Sequence, residues 1–178
     1  PDRCDPGYIL YNSRHEETAK LIDRSGEVLH RWTFAQGYTW HYAELMPNGL
    51  LGVIIKEEEG RLPGMYLELA WDGCLARRLA VMAHHDFEYL ANGNVVIVCR
   101  EYLQDRRLYD APEVKSDALL AYTPADELAW SWHAHEHLDE IRAFVPLDLP
   151  GAHKDWAHTN CVEVLPDNPS GRKDPRFR

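Results

Sequence analysis

The sequence predicts an all-β fold built from a repeated pair of hairpins. Three segments, at residues 21–32, 69–77 and 120–132, share an apolar run, a polar turn and a second strand. A second and more apolar hairpin follows two of them, over residues 41–53 and 85–97, and each carries an Asn-Gly pair at its turn. His41 and His85 are 44 residues apart, and so are the two Asn-Gly pairs. Similarity at a fixed period indicates a repeat architecture.

A unit of two hairpins in about 44 residues has the size of a β-propeller blade. We therefore predict a partial propeller over residues 1–178, with blade-like units at about 8–56, 66–104 and 118–170. An ordinary β-sandwich with coincidental turn spacing is the alternative. Propellers close with about four to eight blades, so three units favour a fragment of a ring, or one of two chains that complete it.

The Asn-Gly pairs predict two-residue type I′ turns, because both central residues of that turn need positive φ. A two-residue turn also fixes which residues face each other across the hairpin. This register predicts His41 opposite Lys56 and His85 opposite Arg100. Each apolar hairpin would then present a histidine beside a cation at its open end.

The third repeat is displaced by an insertion over residues 133–155. Beyond the insertion, Asn160 aligns with His41 and His85 at the start of a third apolar hairpin. Within it, apolar residues near helical spacing predict a short helix over residues 137–145.

Composition excludes several classes of function. The chain has 19 basic and 29 acidic residues and a formal net charge of −10, with no basic patch for phosphate contacts, so no nucleic-acid partner is expected. No run of about 18 apolar residues occurs, so no transmembrane helix is expected. The four cysteines show no CxxC spacing, which argues against a zinc ribbon and a dense disulfide framework.

Equivalent ends of successive propeller blades meet at one mouth of the central channel. One funnel should therefore be ringed by His41, Lys56, His85, Arg100 and Asn160. A cationic ring in an acidic chain predicts a site for an anionic group such as sulfate, phosphate or carboxylate. A histidine beside a cation tends to stay neutral near pH 7 and can act as a base or nucleophile. The alternative is that these histidines have only a structural role at strand ends.

A separate histidine cluster lies in the insertion at His133, His135 and His137. Their period-two spacing would place three imidazoles on one face of a strand, which suits a metal ion. The acidic surroundings and the absence of nearby cysteine instead favour an exposed loop at the rim. We therefore expect no metal and no cofactor.

The motifs together resemble the arylsulfotransferase family, the PAPS-independent aryl-sulfate sulfotransferases and their relatives. The most specific are His-His-Asp-Phe-Glu at residues 84–88 and Asp-Trp-Ala-His-Thr-Asn at residues 155–160. The hairpin at residues 21–32 and Leu-Met-Pro-Asn-Gly at residues 45–49 support them. The resemblance extends over nearly the whole chain, from Gly7 to Asp167, and corresponds to an N-terminal portion of the family.

This resemblance implies a six-bladed propeller that passes a sulfuryl group from a phenolic sulfate ester to a phenol through a sulfated histidine, without a nucleotide donor. His158 and Asn160 resemble the pair that contacts the sulfuryl oxygens, and His85 resembles a funnel histidine of an earlier blade. The sulfated histidine of the family belongs to a later blade, so residues 1–178 alone are not expected to catalyse the reaction. A periplasmic or extracellular location is suggested.

Besides these three residues, we predict that four others bind the substrate: His41, His84, Lys56 and Arg100. Two other classes of function stay open at this stage. One is a non-catalytic propeller that binds a ligand or protein through its funnel, and the other is a metal-dependent propeller enzyme that uses the recurring imidazoles as ligands.

Overall fold

A computed structural model of the chain describes residues 7–35, 39–56, 64–104, 113–144, 155–165 and 169–174. Over these residues the fold is nearly all-β, with three antiparallel sheets and one short α-helix. The prediction of an all-β chain is confirmed. No helix in this part of the chain is long and apolar enough to cross a membrane.

Each sheet is a meander in which strands that are consecutive in sequence pair antiparallel. The first sheet contains β1 (Ile9–Asn12), β2 (Thr18–Ile22) and β3 (Val28–Thr33). The second contains β4 (Thr39–Leu45), β5 (Leu51–Lys56), β6 (Met65–Leu69) and β7 (Leu75–Leu79). The third contains β8 (Ala83–Tyr89), β9 (Val95–Leu103), β10 (Val114–Tyr122) and β11 (Leu128–His133).

The first strands of the three sheets are neighbours in space. Strand β1 contacts β4, and β4 contacts β8. The boundaries of the sheets differ from those of the blade-like units predicted from the sequence. In the structure β5 pairs with β6, and β9 pairs with β10. Each four-stranded sheet therefore joins one apolar hairpin to the hairpin that follows it in the chain.

Both apolar hairpins turn through three-residue loops, so the prediction of two-residue type I′ turns is wrong. The amide of Met46 donates to the carbonyl of Leu50, and the amide of Gly49 donates to the carbonyl of Met46, both at 2.9 Å. Gly49 and Gly93 have φ of 83° and 85°, whereas neither preceding asparagine has a positive φ. A type I turn followed by a left-handed glycine explains this geometry. The extra loop residue shifts the register by one.

The second sheet is apolar on both faces because it lies between the other two. One buried cluster joins it to the first sheet and includes Trp32, Trp40, Val53, Ile55 and Leu67. The other joins it to the third sheet and includes Ile54, Tyr66, Phe87 and Ile97. Adjacent residues of β5 thus enter different clusters, as the alternation of side chains along a strand requires.

The insertion folds where the sequence predicts a helix. A 3₁₀ turn, Ala134–His137, leads directly into α1 (Leu138–Phe144). Ala134 and Leu138 are buried against Val114 of β10 and Trp156. The helix predicted over residues 137–145 is confirmed over Leu138–Phe144, while residue 145 lies outside the described residues. Its apolar face covers one end of the third sheet.

The prediction of a third apolar hairpin beginning at Asn160 is wrong over the described residues. Residues 155–165 contain no strand, apart from an isolated parallel bridge between Asp155 and Lys115. The amide of Val162 donates to the Asp86 side chain at 2.9 Å, where a strand residue would bond to a neighbouring backbone. Residues 166–168 of the predicted turn lie outside the described residues.

Candidate functional site

His41 lies at a β-bulge near the open end of the β4–β5 hairpin. The pairing shifts between Trp40 and Tyr42, so His41 has no partner in the ladder. Lys56 faces Thr39 instead. The predicted pair of His41 and Lys56 is therefore wrong, because the three-residue turn and the bulge each change the register.

His85 lies at the equivalent irregularity of the third sheet. Pairing between β8 and β9 is interrupted from Ala83 to Phe87, and His85 has a φ of 64°. Arg100 faces Asp117 of β10 rather than His85. The predicted pair of His85 and Arg100 is also wrong. A positive φ is uncommon for a residue with a side chain and occurs often at functional sites.

The two bulges nevertheless bring four histidine rings together. The ring centroid of His85 lies 4.9 Å from that of His41, 4.9 Å from that of His84 and 5.2 Å from that of His158. These side chains come from β4, β8 and the segment of residues 155–165. We call His41, His84, His85 and His158 the histidine cluster.

A buried carboxylate anchors one side of the histidine cluster. Nε2 of His84 lies 2.9 Å from Oδ1 of Asp117, and the two side chains are only 4% and 1% exposed. The other carboxylate oxygen accepts the amide hydrogen of Thr159 at 2.5 Å. Burial opposes ionisation of Asp117, but the hydrogen bonds from His84 and Thr159 outweigh it and lower the pKa of the carboxyl.

The segment that carries His158 has its own local restraints. Nδ1 of His158 lies 3.0 Å from Oδ2 of Asp155, and its backbone has a φ of 44°. An ionised carboxylate can only accept, so Nδ1 carries the proton and Nε2 of a neutral His158 is left as an acceptor. Nδ2 of Asn160 donates to the carbonyl of His158 at 3.0 Å.

Two members of the histidine cluster, His41 and His85, have lowered pKa values. Burial, followed by the charge of Arg14, lowers the pKa of His41 to about 4. Burial, followed by the neighbouring imidazoles, lowers the pKa of His85 to about 4, and Arg14 and Arg100 act in the same direction. Burial also lowers the pKa of Lys56, as does its nearness to Arg100. Cations therefore surround His41 and His85, which are uncharged at neutral pH, and this arrangement favours an anionic ligand.

The family model described as Arylsulfotransferase (ASST) matches residues 6–170. The chain belongs to the arylsulfotransferase family. No curated protein matches the chain. A solved structure, a protein of unknown function from Bacteroides caccae, is similar over 72% of this chain at 16% identity, with a TM-score of 0.38. The chain spans 58% of the length of that structure.

In this arylsulfotransferase-family chain, the predicted site residues mostly converge. The four predicted histidines form the histidine cluster, and Asn160 is joined to it through the backbone of His158. Lys56 and Arg100 influence the cluster through their charges rather than as ladder partners.

The predicted site residues do not include Asp117, Arg14 or Lys115, and Asp155 is named only within the motif at residues 155–160. A Ser-Asp pair at residues 116–117, at the start of the apolar run of β10, is the one local signal for a buried polar contact. Arg14 carries no signal of this kind.

Carboxylates gather on the neighbouring part of β8. Burial, followed by the charges of Glu44, Asp86 and Glu163, raises the pKa of Glu88. Asp86 is also partly buried, and burial raises the pKa of its carboxyl despite hydrogen bonds from the amides of Phe87 and Val162. The histidine cluster therefore has acidic side chains beside it as well as basic ones.

The insertion histidines do not share a strand face as the period-two spacing predicts, because β11 ends at His133 and a 3₁₀ turn follows. The ring of His137 stacks on Trp132 with centroids 5.0 Å apart, and its Nδ1 lies 3.1 Å from a carboxylate oxygen of Glu140. His133 and His135 turn toward Glu101 instead. The expected exposed rim loop is in fact a strand end and a partly buried turn.

Proposed function

We propose that the full-length protein transfers a sulfuryl group from a phenolic sulfate ester to a phenol acceptor at the histidine cluster. The observation that carries the proposal is the meeting of four imidazoles, two with a pKa of about 4, among basic side chains. The chain as a whole has a net charge of −10, so the positive charge around the histidine cluster is a local feature of this site. Membership of the arylsulfotransferase family supports the same chemistry.

In this proposal the three sheets are three blades of a propeller that further strands complete, in the same chain or in a second one. Two observations support it. The innermost strands of propeller blades surround a channel, and β1, β4 and β8 contact one another in that order. The segment of residues 155–165 lies against β8, through Val162 and Asp86, and would begin the next blade.

The basic groups of the site bind the sulfuryl oxygens of the substrate. Arg14, Lys56, Arg100 and Lys115 supply positive charge, and the imidazoles supply N–H donors. His158, His85 and Asn160 are the proposed catalytic residues that contact the transferring group. In sulfuryl transfer, charge develops on the equatorial and leaving oxygens, and fixed donors stabilise it more than water does.

The proposed transfer takes two displacements at sulfur. A histidine nitrogen of a later blade attacks the sulfur with its lone pair, the bond from sulfur to the aryl oxygen breaks, and its electron pair leaves with the phenolate. The acceptor phenol then loses its proton to a neutral imidazole, and its oxygen attacks the sulfur. The nitrogen–sulfur bond breaks and the histidine is restored.

Release of nitrophenolate from 4-nitrophenyl sulfate tests the proposal in the full-length protein with phenol as acceptor. We expect acceptor-dependent release in the wild type and in His137→Ala, whose imidazole is outside the histidine cluster. His158→Ala and His85→Ala should each lower the rate by about a hundredfold or more.

A folded wild type that releases no nitrophenolate contradicts the proposal. Calorimetric binding of 4-nitrophenyl sulfate then separates the remaining functions. Binding without release, weakened in His85→Ala, assigns the protein to non-catalytic propellers that bind an anionic ligand. If the protein neither binds 4-nitrophenyl sulfate nor releases nitrophenolate, the histidine cluster is not an anion site.

A further inference from the structure

A second group of potential ligands lies at the end of the third sheet, where the insertion begins. Oε1 of Glu101 is 2.7 Å from Nδ1 of His133, and its Oε2 is 3.4 Å from Nδ1 of His135. One ligand atom from each of these residues lies within 4.8 Å of the other two. The proposed sulfuryl transfer gives these three side chains no role.

The sheet itself brings the three residues together. Strands β9 and β11 flank β10, with Glu101 opposite Ser116 and His133 opposite Ala118. Ser116 and Ala118 are two residues apart, so their cross-strand partners share one face of the sheet. The chain then enters the 3₁₀ turn, which returns His135 toward the same carboxylate.

We propose that Glu101, His133 and His135 bind a divalent transition-metal ion of the zinc type. Two imidazoles and one carboxylate form a ligand set that suits such ions, whereas calcium and magnesium prefer oxygen ligands. Oε2 of Glu101 is buried and accepts no hydrogen bond among the described residues. It is therefore an acceptor available for a cation.

The geometry needs only small side-chain movements to hold the ion. Tetrahedral zinc with ligands at about 2.0–2.2 Å keeps its ligand atoms about 3.4 Å apart. One ligand atom from each of the three residues lies within 4.8 Å of the other two, so the widest separation closes by at most about 1.4 Å to reach this value. The ion takes the place of the proton that Nδ1 of His133 shares with Glu101. In the neutral imidazole that proton moves to Nε2, so Nδ1 binds the metal through its lone pair. Water completes the fourth position.

This metal site is separate from the histidine cluster. Arg100, which acts on the cluster, and Glu101 are consecutive on β9 and point to opposite faces. The ion would fasten the first turn of the insertion to the sheet. Ala134 of that turn packs in the cluster that holds Trp156, two residues before His158. The metal would therefore support the site without contacting substrate.

Zinc binding to the full-length protein, freed of metal with a chelator, tests this inference by calorimetry and thermal unfolding. We expect one zinc per chain in the wild type and in His137→Ala, which removes the neighbouring imidazole outside the site. His133→Ala and His135→Ala should weaken zinc binding at least about tenfold. Free zinc at a hundredfold excess over its Kd should raise the Tm of the wild type by about 5–10 °C.

Glu101→Gln keeps the fold with a neutral side chain of the same shape, and it should also weaken zinc binding at least about tenfold. His85→Ala should leave it unchanged, which distinguishes this site from the histidine cluster. A folded wild type that binds no zinc overturns the inference. So does zinc binding that survives in Glu101→Gln and His133→Ala, or that is lost in His85→Ala. These readouts do not depend on sulfuryl transfer, so either proposal can fail alone.

Discussion

Asp117 holds His84 through a hydrogen bond of 2.9 Å between two side chains that are almost fully buried. The same carboxylate accepts the amide of Thr159, which adjoins His158. One buried group of β10 therefore connects β8 to the segment that supplies the fourth imidazole of the histidine cluster. Removal of one partner from such a contact leaves the other partner unsatisfied, and that is more costly than loss of an exposed pair.

Asp117→Asn should destabilise the protein and move His158. The amide oxygen can accept from either His84 or Thr159, but the amide nitrogen would then face the other donor. We expect the free energy of unfolding to fall by about 1–3 kcal/mol in urea denaturation. Nitrophenolate release should fall as well, although Asp117 does not contact the substrate.

Ser116→Ala is the matched control for Asp117→Asn. The Ser116 hydroxyl is buried and has no hydrogen-bond partner among the described residues, so its removal should leave stability unchanged or slightly raised. Equal losses of stability in both variants would show that β10 tolerates no substitution here. The hydrogen bonds of Asp117 would then not account for the effect.

The pKa values of His41 and His85 predict how stability depends on pH. Both are lowered from 6.5 to about 4 in the folded state, so below pH 6.5 the unfolded chain binds more protons. Their contribution to stability is complete above pH 6.5 and is lost as the pH falls toward 4. Urea denaturation between pH 7 and 4 measures this loss. His85→Gln should lose less stability over that interval, and an unchanged slope would contradict the prediction.

The hairpins could be predicted from the sequence because each turn is local. Gly49 and Gly93 follow asparagine between apolar runs, a pattern that depends only on neighbouring residues. The register could not be predicted, because a three-residue loop and a bulge each add a residue that the pattern does not reveal. The composition of each sheet also depends on which strands pair after residues 57–63 and 105–112, and no local motif specifies that pairing.

The site was only partly predictable for a similar reason. The equivalence of His41 and His85 in the repeat anticipated that they meet, and the resemblance to the family added His158. The contact between Asp117 and Thr159 joins residues 42 positions apart, and Glu101 meets His133 across 32. The first contact depends on where the chain returns after the insertion, and the second depends on the register of β9, β10 and β11, neither of which periodicity indicates.

Glu88→Gln should stabilise the protein at neutral pH. Burial and the nearby carboxylates of Glu44, Asp86 and Glu163 raise the pKa of Glu88 above 4.5. The folded state therefore holds this proton more tightly than the unfolded state, and stability is lost as the pH rises above 4.5. The variant should have a higher Tm than the wild type at pH 7 and an equal one at pH 4.

Glu27→Gln is the control for Glu88→Gln, because it removes the same charge at an exposed turn. It should change the Tm little at either pH. If both variants gain equally at pH 7, the net charge of −10 is responsible, and the local repulsion around Glu88 is not.

Lys56→Met should weaken the binding of 4-nitrophenyl sulfate to the full-length protein. Lys56 lies among Arg14, Arg100 and Lys115, so its loss reduces the positive potential at the histidine cluster. We expect Kd to rise about tenfold in calorimetry, with a weaker dependence on salt. Lys20→Met removes a lysine already paired with Glu16 and should not change Kd. A Kd unchanged in Lys56→Met would exclude Lys56 from the anion site.

Gly52→Ala should disturb the packing between the second and third sheets. A Cβ on Gly52 would lie 2.3 Å from Cζ of Phe87, which is 1% exposed. The ring is held by Tyr42 and Tyr66, with centroids 5.6 and 4.9 Å away, so it cannot move freely. Overpacking of this kind should lower the free energy of unfolding by about 1–3 kcal/mol.

A double-mutant cycle with Phe87→Leu separates this clash from a general intolerance of β5 to alanine. Leucine removes the ring atoms that meet the new methyl group, so Gly52→Ala should cost less in the Phe87→Leu background than in the wild type. We expect a coupling of about 1 kcal/mol in urea denaturation. Additive effects would place the cost in the backbone of β5. Coupling would instead show that Phe87, two residues beyond His85, sets the spacing between the sheets on which His41 and His85 meet.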